Sequence, residues 1–151
     1  MPCNYLISVK PYFAVPLVEG TKPVEIRKVF GGQPGDSFIL YSSTPQRLVL
    51  GELRIDVVRK LPVVDTWDLY GRATLLSEAE LYQYAGNRTS LVAIEVSSPV
   101  RWPRPVPLSE LRSIHNIEPA QSYRRIHSDV AERLRKSGTE RVRHVDVGAS
   151  L

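Results

Sequence analysis

The chain has 151 residues, 42% of them hydrophobic, with a net charge of +4 and a pI near 9.4. That size suits one domain whose core needs neither disulfide nor metal, and a lone cysteine, Cys3, excludes an internal disulfide and points to a reducing, cytoplasmic setting. No apolar run approaches the roughly 20 residues of a membrane-spanning helix, and the opening Met-Pro-Cys-Asn lacks the basic and apolar stretches of a signal peptide, so neither secretion nor a membrane partner is expected. In chain order, Tyr5-Leu-Ile-Ser-Val9 reads as a short apolar strand. Pro11 then opens a helix that Gly20 stops, with Pro16 inside it expected to make it short or kinked. From Val24 to Phe30 the alternation of a half-buried strand places Val24 and Ile26 on one face, Glu25 and Arg27 on the other. Turn formers fill residues 31 to 36, and a third strand runs over Phe38 to Tyr41 before Thr44-Pro45 breaks it. Leu48 to Val58 predicts a long strand with a bulge at Gly51. Ser77-Glu-Ala-Glu80 is a capping box opening a short helix that ends at Gly86. Leu91 to Val96 is a further strand, after which four prolines between Pro99 and Pro107 predict extended chain without a regular ladder. A last helix is expected from a Ser128 cap to a Gly138 stop, and residues 139 to 151 carry too little apolar content to be assigned structure.

Charge is unevenly placed. Residues 1 to 100 hold ten Lys/Arg and ten Asp/Glu, whereas residues 101 to 151 hold ten basic groups, nine of them arginine, against six acids. Arginine pairs bidentately with phosphate and stacks on bases, so this third of the chain suits a nucleic acid, an acidic protein partner, or simply a solvated helix face. His115, His127 and His144 are far apart and no Cys/His cluster has zinc-ligand spacing, so no metal and no cofactor is expected. Nucleophile elbows, Walker loops and dinucleotide-binding glycine motifs are missing from the sequence, which sets aside the commonest hydrolase and nucleotide-triphosphate chemistries. What stands out is Gly20-Thr-Lys-Pro-Val-Glu-Ile-Arg-Lys28, with Lys22, Glu25 and Arg27 gathered at the entry to one strand. Spacing leaves two readings open: a convergent polar site, or a surface ion pair of little energetic weight.

The segments Leu6-Ile-Ser-Val-Lys-Pro11 and Glu19-Gly-Thr-Lys-Pro-Val-Glu-Ile-Arg27 resemble the opening of the ASCH domain family, which belongs to the PUA-like superfamily. The resemblance continues through Leu40-Tyr-Ser-Ser-Thr-Pro45, Gly51-Glu52, Tyr84-Ala-Gly86, Ala93-Ile-Glu-Val96 and Gln121-Ser-Tyr123. It implies an α+β fold: a small PUA-like β-barrel of five to six strands with short flanking helices and a C-terminal helix. It further implies an ASCH domain over residues 1–126, followed by a basic helix and tail over 127–151. In that fold a cleft beside the first helix would bind RNA or a modified nucleotide, through Lys10, Lys22, Glu25, Arg27, Tyr41, Ser43, Gln121, Ser122, Tyr123 and Arg124. An enzyme of the same cleft, an amidohydrolase on an acylated nucleoside or a ribonuclease, would use Lys22 and Glu25 as its catalytic pair. Family amidohydrolases carry a threonine where this chain has Glu25, so their hydroxyl nucleophile is not supplied here, and Glu78 or Glu80 is the candidate for their distant acid.

Overall fold

The structure is a computed structural model that describes residues 2–140. Six strands form one sheet in the order β2-β5-β4-β3-β1-β6. The elements are β1 (Asn4–Val9), α1 (Pro11–Glu19), β2 (Val24–Arg27), β3 (Ser37–Ser42), β4 (Leu48–Pro62), α2 (Val63–Tyr70), a 3-10 turn (Gly71–Thr74), α3 (Glu78–Ala85), β5 (Ser90–Pro107), α4 (Leu108–Ser113), β6 (Tyr123–Ile126) and α5 (Ser128–Thr139). β1 runs parallel to β3, and every other pairing is antiparallel.

The middle of the sheet is apolar on both faces because helices cover both. Tyr5, Ile7 and Val9 of β1, with Phe38 and Leu40 of β3, pack against Ala14, Leu17 and Val18 of α1. The alternate residues Leu6, Ile39 and Tyr41 face Trp102, Leu111 of α4, and Ala131 and Leu134 of α5. A third cluster joins Val24 and Ile26 of β2 to Val63, Leu81 and Ala85 on α2 and α3. The C-terminal helix is thus packed on the sheet, and Arg135 also ties it to Glu52 and Asn4.

Gly20 does stop α1, in the left-handed conformation at φ 84°, with Pro16 inside the helix. The register slips between Val49 and Gly51, where the bulge was expected, and a Cβ on Gly51 would strike the Val100 carbonyl. The capping box on α3 is complete, with Ser77 and Glu80 bonding each other's main chain.

Four expectations are corrected. The sheet is not closed into a barrel: β2 and β6 end the strand order and share no ladder. They nevertheless lie close, because Phe30, just past β2, meets Tyr123 of β6 edge to face at 5.0 Å. Second, the strand does not end at Val96 but continues to Pro107; its ladder with β4 is irregular, as the prolines predict, with residues 102–105 unpaired between the pairs Arg101–Gly51 and Val106–Val49. β2 pairs only with Val92 to Glu95, so this half of β5 has one flank without a partner strand, where missing N–H groups cost nothing. Third, α5 is capped by the His127 ring, which accepts from Asp129 N, and not by Ser128. Fourth, Gly138 lies inside α5, where a side chain would run into the Trp102 ring, so it is a packing glycine and not the stop. Arg141, Arg143 and the tail lie outside the described residues.

Candidate functional site

A cleft of about 1030 Å³ opens between α1, the ends of β1 and β3, β2 with the residues after it, α3, and the segment from α4 to Ser122. Its wall includes Lys10, Lys22, Glu25, Arg27, Tyr41, Ser43, Gln121 and Ser122, brought together from four separate stretches of sequence. Tyr123 and Arg124 are not on it. Tyr123 turns toward Tyr5 and Phe30 and accepts a hydrogen bond from Gly31 N, while Arg124 donates to the Glu118 carbonyl.

The floor is a buried charge ladder. Lys22 is 2% exposed and Glu25 5%, and the Lys22 ammonium donates to Glu25 Oε1 at 2.7 Å and to the Val24 carbonyl. It also sits 5.5 Å from the centre of the Phe13 ring. Arg27 Nη1 donates to Glu25 Oε2 at 3.1 Å and to the Ser8 carbonyl. Its Nη2 reaches the Ser122 carbonyl at 3.1 Å and the Ser122 hydroxyl at 3.0 Å. Both carboxylate oxygens and both Nη groups are therefore engaged within the protein. A buried ion triad of this kind is costly to assemble but far costlier to break once assembled, since removing one partner strands the others.

The groups that remain open to the cleft lie around this ladder. The Lys10 ammonium makes no hydrogen bond or ion pair among the described residues, and Lys28 leans over the Tyr84 ring at 5.1 Å. Tyr41 is largely buried, and its hydroxyl has no protein partner among the described residues. Burial pushes its pKa up, while the nearby Arg47 and Arg112 draw it down and Glu118 raises it. One wall, residues 118 to 122, is pinned to the sheet: Ser8 Oγ donates to the Ala120 carbonyl at 2.6 Å and Ser8 N to the Ser122 carbonyl at 2.9 Å.

Sequence reasoning missed Lys28, Tyr84, Arg112 and Glu118, all of which line the cleft. A lysine just after Arg27 at the strand's end was a usable signal; the other three come from α3, α4 and the loop after α4, which only the fold brings near. Glu78 and Glu80, the candidates for a distant acid, are on the first turn of α3 and not on the cleft wall, and Glu80 is engaged in the cap. Much of the C-terminal arginine excess is also neutralised, by the pairs Arg101–Glu19, Arg104–Glu110, Arg112–Glu118 and Arg135–Glu52. Among the described residues no group of three or more His, Cys, Asp or Glu is placed to hold a metal, and no helix is long and apolar enough to cross a membrane.

Comparison with known proteins gives consistent likenesses. A family model described as Domain of unknown function (DUF365) matches residues 20–115, more than half of the chain. An ASCH domain-containing ribonuclease from Zymomonas mobilis is 27% identical over 133 residues, covering 85% of this chain and 88% of that protein. The crystal structure of ASCH from Zymomonas mobilis superposes with a TM-score of 0.81 at 26% identity, over 87% of this chain and 92% of that one. Human THYN1, solved in complex with 5-methylcytosine-containing DNA, shares the fold at TM-score 0.61 and 13% identity, over 93% and 99% of the two chains.

Proposed function

The chain belongs to the DUF365 family and is an ASCH domain, and from that premise we propose that its cleft binds RNA, holding the phosphodiester backbone and one unstacked base. The observation that carries this reading is the composition of the wall: Lys10, Lys28 and Arg112 supply positive charge, Tyr41 and Ser43 supply hydroxyls, and the Tyr84 ring offers a face for a base. Single-stranded RNA presents splayed bases to aromatic side chains and phosphates to cations, and the cleft provides both. Lys22, Glu25 and Arg27 form the support of the site in this reading, because their donors and acceptors already satisfy one another.

The test is fluorescence anisotropy with a labelled RNA of about a dozen nucleotides, a length within the range of known single-strand sites. Three phosphate contacts on a single strand give a log–log salt slope near −2, so affinity should fall roughly tenfold or more between about 50 and 200 mM salt. Absence of binding at the lower salt, or affinity indifferent to salt, sinks the reading.

Cleavage of the bound RNA is the second reading, favoured by the ribonuclease relative that spans most of the chain. It is tested by analysing the RNA after prolonged incubation, with Tyr41→Phe as the control for a cleft hydroxyl. Acyl transfer from a modified cytidine has less support, since Glu25 replaces the expected threonine and both its oxygens are held by cations.

A further inference from the structure

Arg112 and Glu118 stand on the cleft wall and form a two-pronged ion pair: Arg112 Nε donates to Glu118 Oε2 at 2.8 Å and Nη2 to Oε1 at 2.7 Å. We infer that Arg112 is a phosphate-binding group of the cleft and that the Glu118 carboxylate holds its place until a phosphodiester of the RNA displaces it. This rests on the reading of the cleft as an RNA site and names the subsite that would take a backbone phosphate.

A carboxylate and a phosphate present the same pair of oxygens to the same edge of a guanidinium, so the geometry that suits Glu118 suits the ligand. Other arginine–carboxylate pairs differ in placement. Arg27–Glu25 is on the cleft but buried, and Arg104–Glu110 holds a carboxylate whose side chain is only 14% exposed, with Arg104 also donating to the Ser137 carbonyl. Among the described residues Arg112–Glu118 alone is both on the cleft wall and open to solvent, with side chains 54% and 63% exposed. Exposed pairs contribute little to stability, so exchanging one anion for another costs the fold little.

Only the Glu118 side chain has to move. Its carbonyl is fastened by Arg124 Nη1 at 2.9 Å, and the next residues are held by Ser8 through the Ala120 carbonyl. Swinging the carboxylate outward leaves the wall in place and frees the Arg112 fork beside Tyr41. The Tyr41 hydroxyl already feels both members of the pair, Arg112 lowering and Glu118 raising its pKa. Tyr41 lines the same cleft with its hydroxyl unpartnered among the described residues, so a donor stands on the cleft wall besides Arg112.

The experiment combines a two-residue cycle with a direct probe of the guanidinium. Labelled RNA is titrated into the wild type, Glu118→Gln, Arg112→Gln and the double variant, all checked for unchanged melting temperature. Glu118→Gln should tighten binding about three- to tenfold and Arg112→Gln weaken it by about fivefold, in keeping with the loss of one phosphate contact. In the Arg112→Gln background, Glu118→Gln should have little further effect. Equal tightening in both backgrounds would mean that Glu118 acts only by general repulsion, and overturns the inference. In parallel, inorganic phosphate is titrated while the Arg112 Nε resonance is followed by NMR. A shift in Glu118→Gln that is weaker in the wild type supports the displacement; no shift in Glu118→Gln overturns it. If phosphate moves Arg112 while no variant binds RNA, the subsite stands and the RNA reading falls.

Discussion

Arg27 and Ser122 stand at opposite ends of the sheet, one closing β2 and the other leading into β6, yet the guanidinium of the first grips both the carbonyl and the hydroxyl of the second at 3.1 and 3.0 Å. With no backbone ladder between the two end strands, this clasp and the edge-to-face contacts of Phe30, Tyr5 and Tyr123 hold the seam. The cleft lies over that seam, so its shape depends on side chains more than on strand pairing.

Breaking the clasp should therefore loosen the site as well as the fold. Arg27→Gln removes one of two cations from a carboxylate that is 5% exposed and leaves Ser122 unanchored. The expected loss is about 3 kcal/mol in urea denaturation, the usual scale for removing one partner of a buried ion pair. Hydrogen exchange should rise in residues 120–123 more than in the centre of β4. Full protection of that segment in the variant would show that Ser8 alone suffices to hold it.

Two glycines are predicted to resist substitution for different reasons. Gly51→Ala places a methyl group against the Val100 carbonyl, which is backbone and cannot rotate away, whereas Gly138→Ala meets the ring of Trp102. Overpacking of either kind costs typically about 1–3 kcal/mol, and Gly51→Ala should lie at the upper end because the bulge itself must deform. Chemical denaturation of the two variants ranks them; equal and negligible losses would contradict the close approach of β4 and β5 there.

The local elements were readable where one residue type decided the matter: Gly20 at the end of α1, the Ser77–Glu80 box, the alternation of β2 and the break at Gly51. What escaped was decided by neighbours. Pro103 and Pro105 stand in an unpaired stretch, and nothing in the local sequence says that the strand resumes its pairing beyond them at Val106 and Pro107. α2 begins after Pro62 with no side-chain cap to announce it, and α4 is a six-residue helix likewise uncapped. The candidate site was legible as residue types but not as roles. Lys22, Glu25 and Arg27 do converge, as their spacing allowed, but only the fold shows them bonded to one another, with the open cations supplied by Lys10 and by residues brought in from elsewhere.

Lys10 and Lys28 offer a check on which cations meet the ligand. Each should contribute about one unit or less to the salt dependence of RNA affinity, so Lys10→Ala and Lys28→Ala each flatten the log–log slope by roughly 0.7 to 1 while leaving thermal stability unchanged. Lys22→Met should instead lower stability by about 3 kcal/mol, because it takes one of two cations from a buried carboxylate. A reversal, with Lys22→Met folded normally and selectively defective in binding, would return Lys22 to the role of a ligand contact.

Acid should weaken the docking of α5 in two separate windows. His115 is buried, its Nε2 lies 3.0 Å from the Ser137 hydroxyl on α5, and its Nδ1 is enclosed without a partner among the described residues. Burial lowers its pKa below the ordinary 6.5; Glu110 on α4 opposes that shift and Arg133 on α5 reinforces it. The folded protein thus favours the neutral ring, while the unfolded chain takes up a proton near pH 6.5. Stability is complete above that pH and falls as the pH drops through it toward the depressed folded value. Glu110 behaves in the same sense at lower pH: its hydrogen bond to Arg104 holds its pKa below the usual 4.5, so its contribution is present above 4.5 and is lost on further acidification. Melting curves between pH 8 and 3 should show both declines, and His115→Gln should remove the upper one while leaving the lower. Persistence of the upper decline in that variant would assign it to another group and remove His115 as its cause.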